Sequence, residues 1–371
     1  MTGTHGNVDR ITLQQLLGAL AAWFPTDKPA AKTPDGINWE ALFAMARSAR
    51  TQLAAIEGFK KSGIELPPEW EQTAAAEQAA CFHLNMTNVA NAVRICRILH
   101  THGIDAACLK GVPRGYEIYG RWDIRKTGDI DLLVRPHDYR EAAEVIKKNG
   151  YFTPVPSDSV WWHTYLGESP YLPSSNSGPI VDLHWKLDQP GTPAPSRIDE
   201  VLARKQMRKL GNFTIPMLSK QDALMLTATS IGKAIRAQEP WLREAHEIAI
   251  SVGSEPGLTR QELKSYARSH GVERLWQFVV RQVDRLFSSS SSQEGTWDEE
   301  LACSVLGLPS PSDHAMFRTQ LLWLWSDGGA LRPWRFAKEF IRVRAAERRH
   351  DIEEARETRA DAQERVQTAP G

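Results

Sequence analysis

The chain has 371 residues, 42% of them hydrophobic, and its 45 Lys and Arg balance 45 Asp and Glu. That apolar content supports a substantial core in two lobes, and zero net charge excludes bulk electrostatic attraction as a way of holding nucleic acid. No apolar run approaches the roughly 20 residues needed to cross a bilayer, so no membrane partner is expected.

The opening Met-Thr-Gly-Thr-His-Gly lacks the basic start and apolar stretch of a signal peptide. Cys81, Cys96, Cys108 and Cys303 show no paired metal spacing and read as reduced thiols of a cytoplasmic protein. The 13 Trp residues read as core filling in a largely helical chain.

In chain order, Ile11, Leu13, Leu16, Leu17, Leu20 and Trp23 recur with a helical period over 9–24. A Pro- and Lys-rich linker follows over 25–36. Trp39 opens a second helix running past Leu53 toward Phe59. A third begins at Pro67-Pro68 and stops at Gly103, with Asn85, Asn88 and Asn91 facing out of it, read as solvated positions with a reach of one into the active cleft as the alternative. Strands are expected at 104–109, 129–135, 151–155 and 179–187, with a short helix from Val112 to Tyr119 and another from His137 to Lys148, ended by Gly150. The segment 154–179, rich in Ser, Pro and aromatics, reads as a long loop, a mobile hairpin packing its own aromatics in preference to a platform that stacks a base. Helical periodicity returns over 220–251, 259–287, 298–306 and 313–326, interrupted by low-complexity Ser at 288–293. One long helix then spans Pro333 to Arg365, its second half charged on every face and so solvated.

The chemistry concentrates in the strands. In Asp129-Ile130-Asp131-Leu132-Leu133-Val134, alternation puts Asp129, Asp131 and Leu133 on one face. The two acids stand roughly 6.6 Å apart at Cα, within reach of one pair of metal ions. Acids on a strand whose other face is apolar need cations. In Val181-Asp182-Leu183-His184-Trp185-Lys186-Leu187, Asp182, His184 and Lys186 share one face, and Val181, Leu183, Trp185 and Leu187 the other. A one-residue register slip would expose that apolar set. His184 reads as a hydrogen-bonded residue that orients its neighbour. Three strand-borne acids beside Lys110-Gly111 and Arg125 are the parts of metal-assisted phosphoryl or nucleotidyl transfer.

These residues carry a resemblance. Lys110-Gly111, Arg125, Gly128-Asp129-Ile130-Asp131-Leu132-Leu133-Val134 and Val181-Asp182-Leu183-His184-Trp185 resemble the DNA polymerase β-type nucleotidyltransferase superfamily. Within it they are most similar to the bacterial uncharacterised nucleotidyltransferase family. The likeness covers roughly Trp39 to Val252. It implies an α+β fold with a small mixed sheet, divided as a helical lead-in (1–103), a nucleotidyltransferase core (104–218), a helical lobe (219–332) and a charged C-terminal helix and tail (333–371). It implies two Mg²⁺ ions on Asp129, Asp131 and Asp182, with Asp182 as ligand or general base. Lys110, Gly111, Arg125 and Gly128 would hold a nucleoside triphosphate, with ATP favoured for its abundance, and Arg121 and Lys126 are alternatives for the same task. The implied reaction moves an NMP group to an acceptor, a small molecule or peptide in preference to RNA.

Two departures bear on substrate choice. Gly111 is followed by Val112 rather than a hydroxyl residue or Gly, so backbone N–H groups would face the phosphates. The helical part has Ser230 where the family pattern implies His, and His246-Glu247 where it implies Asp.

A phosphatase or glycosyltransferase Asp-x-Asp does not fit. In those the apolar strand precedes the acids; here it follows them. Walker and protein-kinase motif sets are absent. The remaining alternative is a nucleotide-binding or scaffold protein that keeps the fold without turnover. Crowding of like charges predicts that neutralising Asp129 or Asp131 leaves metal-free stability unchanged or raised.

Overall fold

The computed structural model describes residues 8–24, 36–175, 178–195, 197–254, 258–288, 298–309 and 333–368. Its lead-in is α1 (Arg10–Ala21), α2 (Trp39–Ser48), α3 (Gln52–Lys61) and α4 (Pro68–Thr101). The expected single helix from Trp39 toward Phe59 is two helices. Arg50 takes a left-handed φ of 58° and the Thr51 N–H closes back on the Ala46 carbonyl at 2.8 Å, a helix stop usually marked by Gly. The linker before Gly36 lies outside the described residues.

The core follows as β1 (Ala106–Cys108), α5 (Val112–Tyr119), β2 (Asp129–Val134), α6 (Tyr139–Lys148), β3 (Tyr151–Phe152), a π-helical turn (Trp161–Leu166), β4 (Glu168–Pro173), β5 (Ile180–His184), α7 (Ile198–Ala203), β6 (Gln206–Leu210) and β7 (Phe213–Met217). The strands form a seven-stranded mixed sheet in the order β3-β4-β5-β2-β1-β7-β6. Three of these strands escaped the sequence reading. β4 lies inside the expected loop. β6 and β7 form a hairpin turned at Gly211-Asn212, and β6 is a polar edge strand with Met207 64% exposed.

β2 runs through the middle of the sheet, parallel to β5 and antiparallel to β1. Ile130, Leu132 and Val134 pack with Val181 and Leu183 beneath α4 and α6. The opposite face carries the acids and then Leu133, which joins Ala107, Leu109, α7 and Ala223 in a second cluster. The expected alternation holds for Val181 and Leu183 but not for Leu187. β5 ends at His184 and the chain turns, so Leu187 packs on the acid side of the sheet.

The second lobe comprises α8 (Lys220–Ala237), α9 (Leu242–Ser254), α10 (Arg260–Ser269), α11 (Glu273–Ser288) and α12 (Glu299–Val305). Two expected continuous helices are again divided, at Gln238 (φ 57°) before Pro240 and at Gly271 (φ 75°). Each break has the same closing bond, Glu239 N–H to Ala234 and Val272 N–H to Ala267. The stretches expected at 288–293 and 313–326 fall outside the described residues, apart from Ser288 at the end of α11. α1–α3 share one apolar core with this lobe, through Leu16, Leu20, Phe43 and Phe59 against Trp241 and Val279.

α13 (Pro333–Thr368) is the expected long helix, but it is docked from Glu339 as far as Glu353, into the half expected to be solvated. Glu339 accepts the Gly191 N–H at 2.8 Å, Arg342 reaches Asp188 at 2.8 Å, and Val343 and Ala346 are buried. Glu353 accepts the Ser159 hydroxyl and the N–H groups of Val160 and Trp161 at the start of the π turn. Among the described residues no helix is long and apolar enough to cross a membrane.

His246 on α9 ties α1 and α5 to the helical lobe. Its Nε2–H donates to the Leu20 carbonyl at 2.9 Å and its Nδ1 accepts the Tyr119 hydroxyl at 3.1 Å. Burial pushes its pKa down to about 3. Because the folded value lies below the unfolded one of about 6.5, stability is intact above pH 6.5 and is lost as pH falls toward 3. Replacing His246 with Gln is expected to reduce proton uptake on unfolding by about one between pH 4 and 6. Urea denaturation across that range checks this, and an unaltered pH slope contradicts it.

Candidate active site

β2 and β5 pair with Asp131 opposite Asp182. The parallel register brings Asp129, Asp131 and Asp182 to one face, with one carboxylate oxygen from each within 4.8 Å of the others. Asp131 is 2% exposed. Its Oδ1 accepts Lys110 Nζ at 3.1 Å and His184 Nε2 at 3.2 Å. Its Oδ2 is buried with no hydrogen-bond partner among the described residues. A buried carboxylate oxygen without a donor is costly, and three convergent carboxylates offer the hard oxygen ligands that Mg²⁺ takes. The donor set therefore fits a divalent cation.

The electrostatics divide the three acids. Burial raises the Asp129 pKa and the neighbouring Asp131 charge adds to it. Burial, with Asp131 and Asp129, pushes Asp182 up to about 6. Burial also opposes the charge on Asp131, but Lys110 and His184 outweigh it and hold this carboxyl below the usual range. His184 is buried, which disfavours its charge, yet Glu168 and Asp131 raise its pKa to about 9. Its Nδ1 meets Glu168 Oε2 at 3.0 Å. The imidazole thus bridges two carboxylates and fixes the rotation of Asp131.

Lys110 and Gly111 lie where β1 runs into α5. Gly111 has φ 82°, and a Cβ there would sit 3.9 Å from Asp131 Oδ2 and 3.7 Å from the Asp129 carbonyl. A side chain would be strained by this backbone conformation, although a Cβ would meet the acids only at ordinary contact distance. Gly128 is exposed just before β2. Arg125 is buried, with Nε on Glu247 at 2.6 Å and Nη1 on Thr127 at 2.7 Å. Arg121 is tied to Glu57 and Asp123, and neither it nor Lys126 lines the cavity beside the acids.

That cavity, about 520 Å³, lies between the sheet and α8–α9. Lys110, Arg114, Arg125, Lys233, Arg236 and Arg243 make its wall strongly cationic, and Glu168 and His184 border it on the sheet side.

Several of these residues were not singled out from sequence. Glu168 was hidden in a presumed loop. Lys233 lies three residues after Ser230 and belongs to no motif of its own. Asn85 and Asn88 were assigned to solvent but are buried. Asn85 donates to the carbonyls of Trp122 and Arg125, and Asn88 to that of Thr127. The i, i+3 spacing of these two residues put them on one stripe, and that stripe was the available signal.

Mixed sheet, appended helices and an acid triad define an α+β protein with a candidate divalent-metal centre. The chain belongs to the uncharacterised nucleotidyltransferase family, which matches it over residues 35–288. Family membership supports nucleotidyl transfer as its general activity and a nucleotide as substrate. No curated protein matches the chain. Among solved structures it is similar to an antigenic nucleotidyltransferase-like protein from Paracoccidioides brasiliensis, at 16% identity and a TM-score of 0.31, over 54% of this chain and 91% of that one.

The buried Arg125–Glu247 pair joins the segment before β2 to α9, with side chains 8% and 3% exposed. Glu247→Ala strands the guanidinium and is expected to cost about 3–5 kcal/mol in urea denaturation, while adding Arg125→Met recovers part of that loss. A single variant within about 0.5 kcal/mol of wild type contradicts this coupling of the lobes.

Proposed function

We propose that the protein moves an NMP group, with ATP the favoured donor, to a hydroxyl of a small-molecule or peptide acceptor. The acceptor oxygen bonds to the α-phosphorus, the bond from that phosphorus to the bridging oxygen of pyrophosphate breaks, and pyrophosphate leaves. The observation that carries this reading is the convergence of Asp129, Asp131 and Asp182 within 4.8 Å beside Lys110 and the glycine turn. Asp129, Asp131 and Asp182 would hold two Mg²⁺ ions, which when bound lower the acceptor hydroxyl's pKa and neutralise phosphate charge. Asp182 serves as third ligand or as the base that takes the acceptor proton.

The chain's own groups supply the rest. Gly111 leaves room for phosphate oxygens to approach backbone N–H groups. Lys110 and Arg125 add positive charge along the cavity wall. His184 holds Asp131 Oδ1 so that Oδ2 is presented to a cation. The four cysteines are free and buried, which supports a cytoplasmic setting.

The charge balance separates the acids in the metal-free protein. Asp129→Asn relieves repulsion and is expected to keep or raise the melting temperature. Asp131→Asn removes the partner of Lys110 and His184 and is expected to lower stability by about 1–3 kcal/mol, which revises the expectation from like-charge crowding alone. Both variants are expected to lose pyrophosphate release and the stabilisation brought by Mg²⁺ with nucleotide. Thermal melts and a pyrophosphate assay against a panel of acceptors check this. Retained turnover in either variant contradicts the proposal.

A further inference from the structure

The cationic cavity holds one group that the metal-site reading does not use. Lys110 is occupied by Asp131, Arg125 by Glu247, Arg243 by Glu244, Lys186 by Asp188, and Arg114 by Glu117 and Ser251. Among the described lining residues, Lys233 is the cation with neither a hydrogen bond nor an ion pair. It is half-buried on α8, and burial lowers its pKa to about 8, with Glu168 partly opposing the shift. An ammonium largely out of water, with Glu168 near but not in hydrogen-bond or ion-pair contact, gains from an anion that bonds it directly.

One turn earlier on α8, Ser230 also lines the cavity, is half-buried and has no side-chain hydrogen bond. The hydroxyls of Thr227 and Thr229 on the same helix are spent on the carbonyls of Ala223 and of Met225 and Pro193. Residues three apart on a helix are neighbours, so Ser230 and Lys233 present a hydroxyl donor and an ammonium side by side. They face Lys110 and Glu168 across the cavity. A hydroxyl and an ammonium match a tetrahedral oxyanion, which accepts several hydrogen bonds and carries the missing charge.

We infer that Ser230 and Lys233 form a phosphate-binding subsite on the helical wall of the cavity, across from Lys110 and Glu168. Its occupant is either the terminal phosphates of the donor triphosphate or a phosphate carried by the acceptor. Only that choice of occupants rests on the proposed nucleotidyl transfer. The donors themselves are set by α8.

Calorimetry on the full chain tests the subsite with inorganic pyrophosphate alone, with Mg²⁺ and ATP, with Mg²⁺ and AMP, and with inorganic phosphate added to protein saturated with Mg²⁺ and a non-hydrolysable ATP analogue. Lys233→Met is expected to weaken pyrophosphate binding at least tenfold, Ser230→Ala several-fold, and Lys233→Arg to restore most of it. The ligand-free melting temperature of Lys233→Met is expected to equal or exceed that of wild type, which separates lost binding from lost folding. If the subsite serves the donor, Lys233→Met also weakens ATP but not AMP. If it serves the acceptor, ATP affinity is unchanged and phosphate no longer binds the nucleotide-loaded protein. Wild-type protein that takes up pyrophosphate or phosphate in no arm overturns the subsite, as does Lys233→Met protein that takes up both as tightly as wild type. A wild type that binds pyrophosphate through Lys233 but no nucleotide overturns the nucleotidyl reading and leaves the subsite standing.

Discussion

The charge balance around Asp131 governs the site. Its carboxylate is almost fully buried on the central strand, and it stays ionised because Lys110 and His184 both bind one of its oxygens. That arrangement has a structural price in the neighbours. Glu168 must sit behind His184 to keep the imidazole charged. Asp129 and Asp182 are left with too little positive charge near them, and both are pushed toward protonation. One carboxylate is satisfied through Oδ1 alone while its Oδ2 lacks a donor, and two more are crowded against it. A divalent cation would resolve all three defects together, because carboxylates that repel one another become ligands once a metal sits between them.

The surrounding fold serves to hold that cluster still. Parallel pairing of β2 with β5 places Asp131 opposite Asp182, and the burial of Ile130, Leu132, Val181 and Leu183 beneath α4 and α6 makes any other register expensive. The loop that leads into β2 is pinned from two sides. Asn85 and Asn88 on α4 bind its carbonyls, and Glu247 on α9 binds Arg125. The same α9 residue helps wall the cavity, so the helical lobe and the acid strand are positioned relative to each other by a buried ion pair. Arg125 therefore acts as a joint as well as a cavity cation.

What could be read in the sequence follows from how local each signal is. Strict alternation over 129–134 and 180–184 exposed the acid faces, and Gly103 marked the end of α4. The short helix Val112–Tyr119 was readable to the residue. Signals that depend on tertiary partners were not legible. Arg50 and Gln238 end helices in a left-handed conformation that normally calls for Gly, so nothing in their identity announces a stop. Edge strand β6 carries Arg208 and Lys209 and resembles a loop, because an edge needs burial on neither its free side nor its outer face. Asn85 and Asn88 look like solvated helix positions until the loop they cap is folded against them. Glu168, the residue that keeps His184 charged, could not be found while β4 was hidden in an aromatic, Pro-rich segment.

The proposed function requires that the acid cluster and its cavity receive a metal-bound nucleotide. Calorimetric titration of ATP into the full-length protein, with and without Mg²⁺, tests that most directly. Saturable binding that depends on Mg²⁺ is the expected result. Wild-type protein that shows no heat of nucleotide binding at any Mg²⁺ concentration would contradict it, and with it both nucleotidyl transfer and nucleotide-dependent scaffolding.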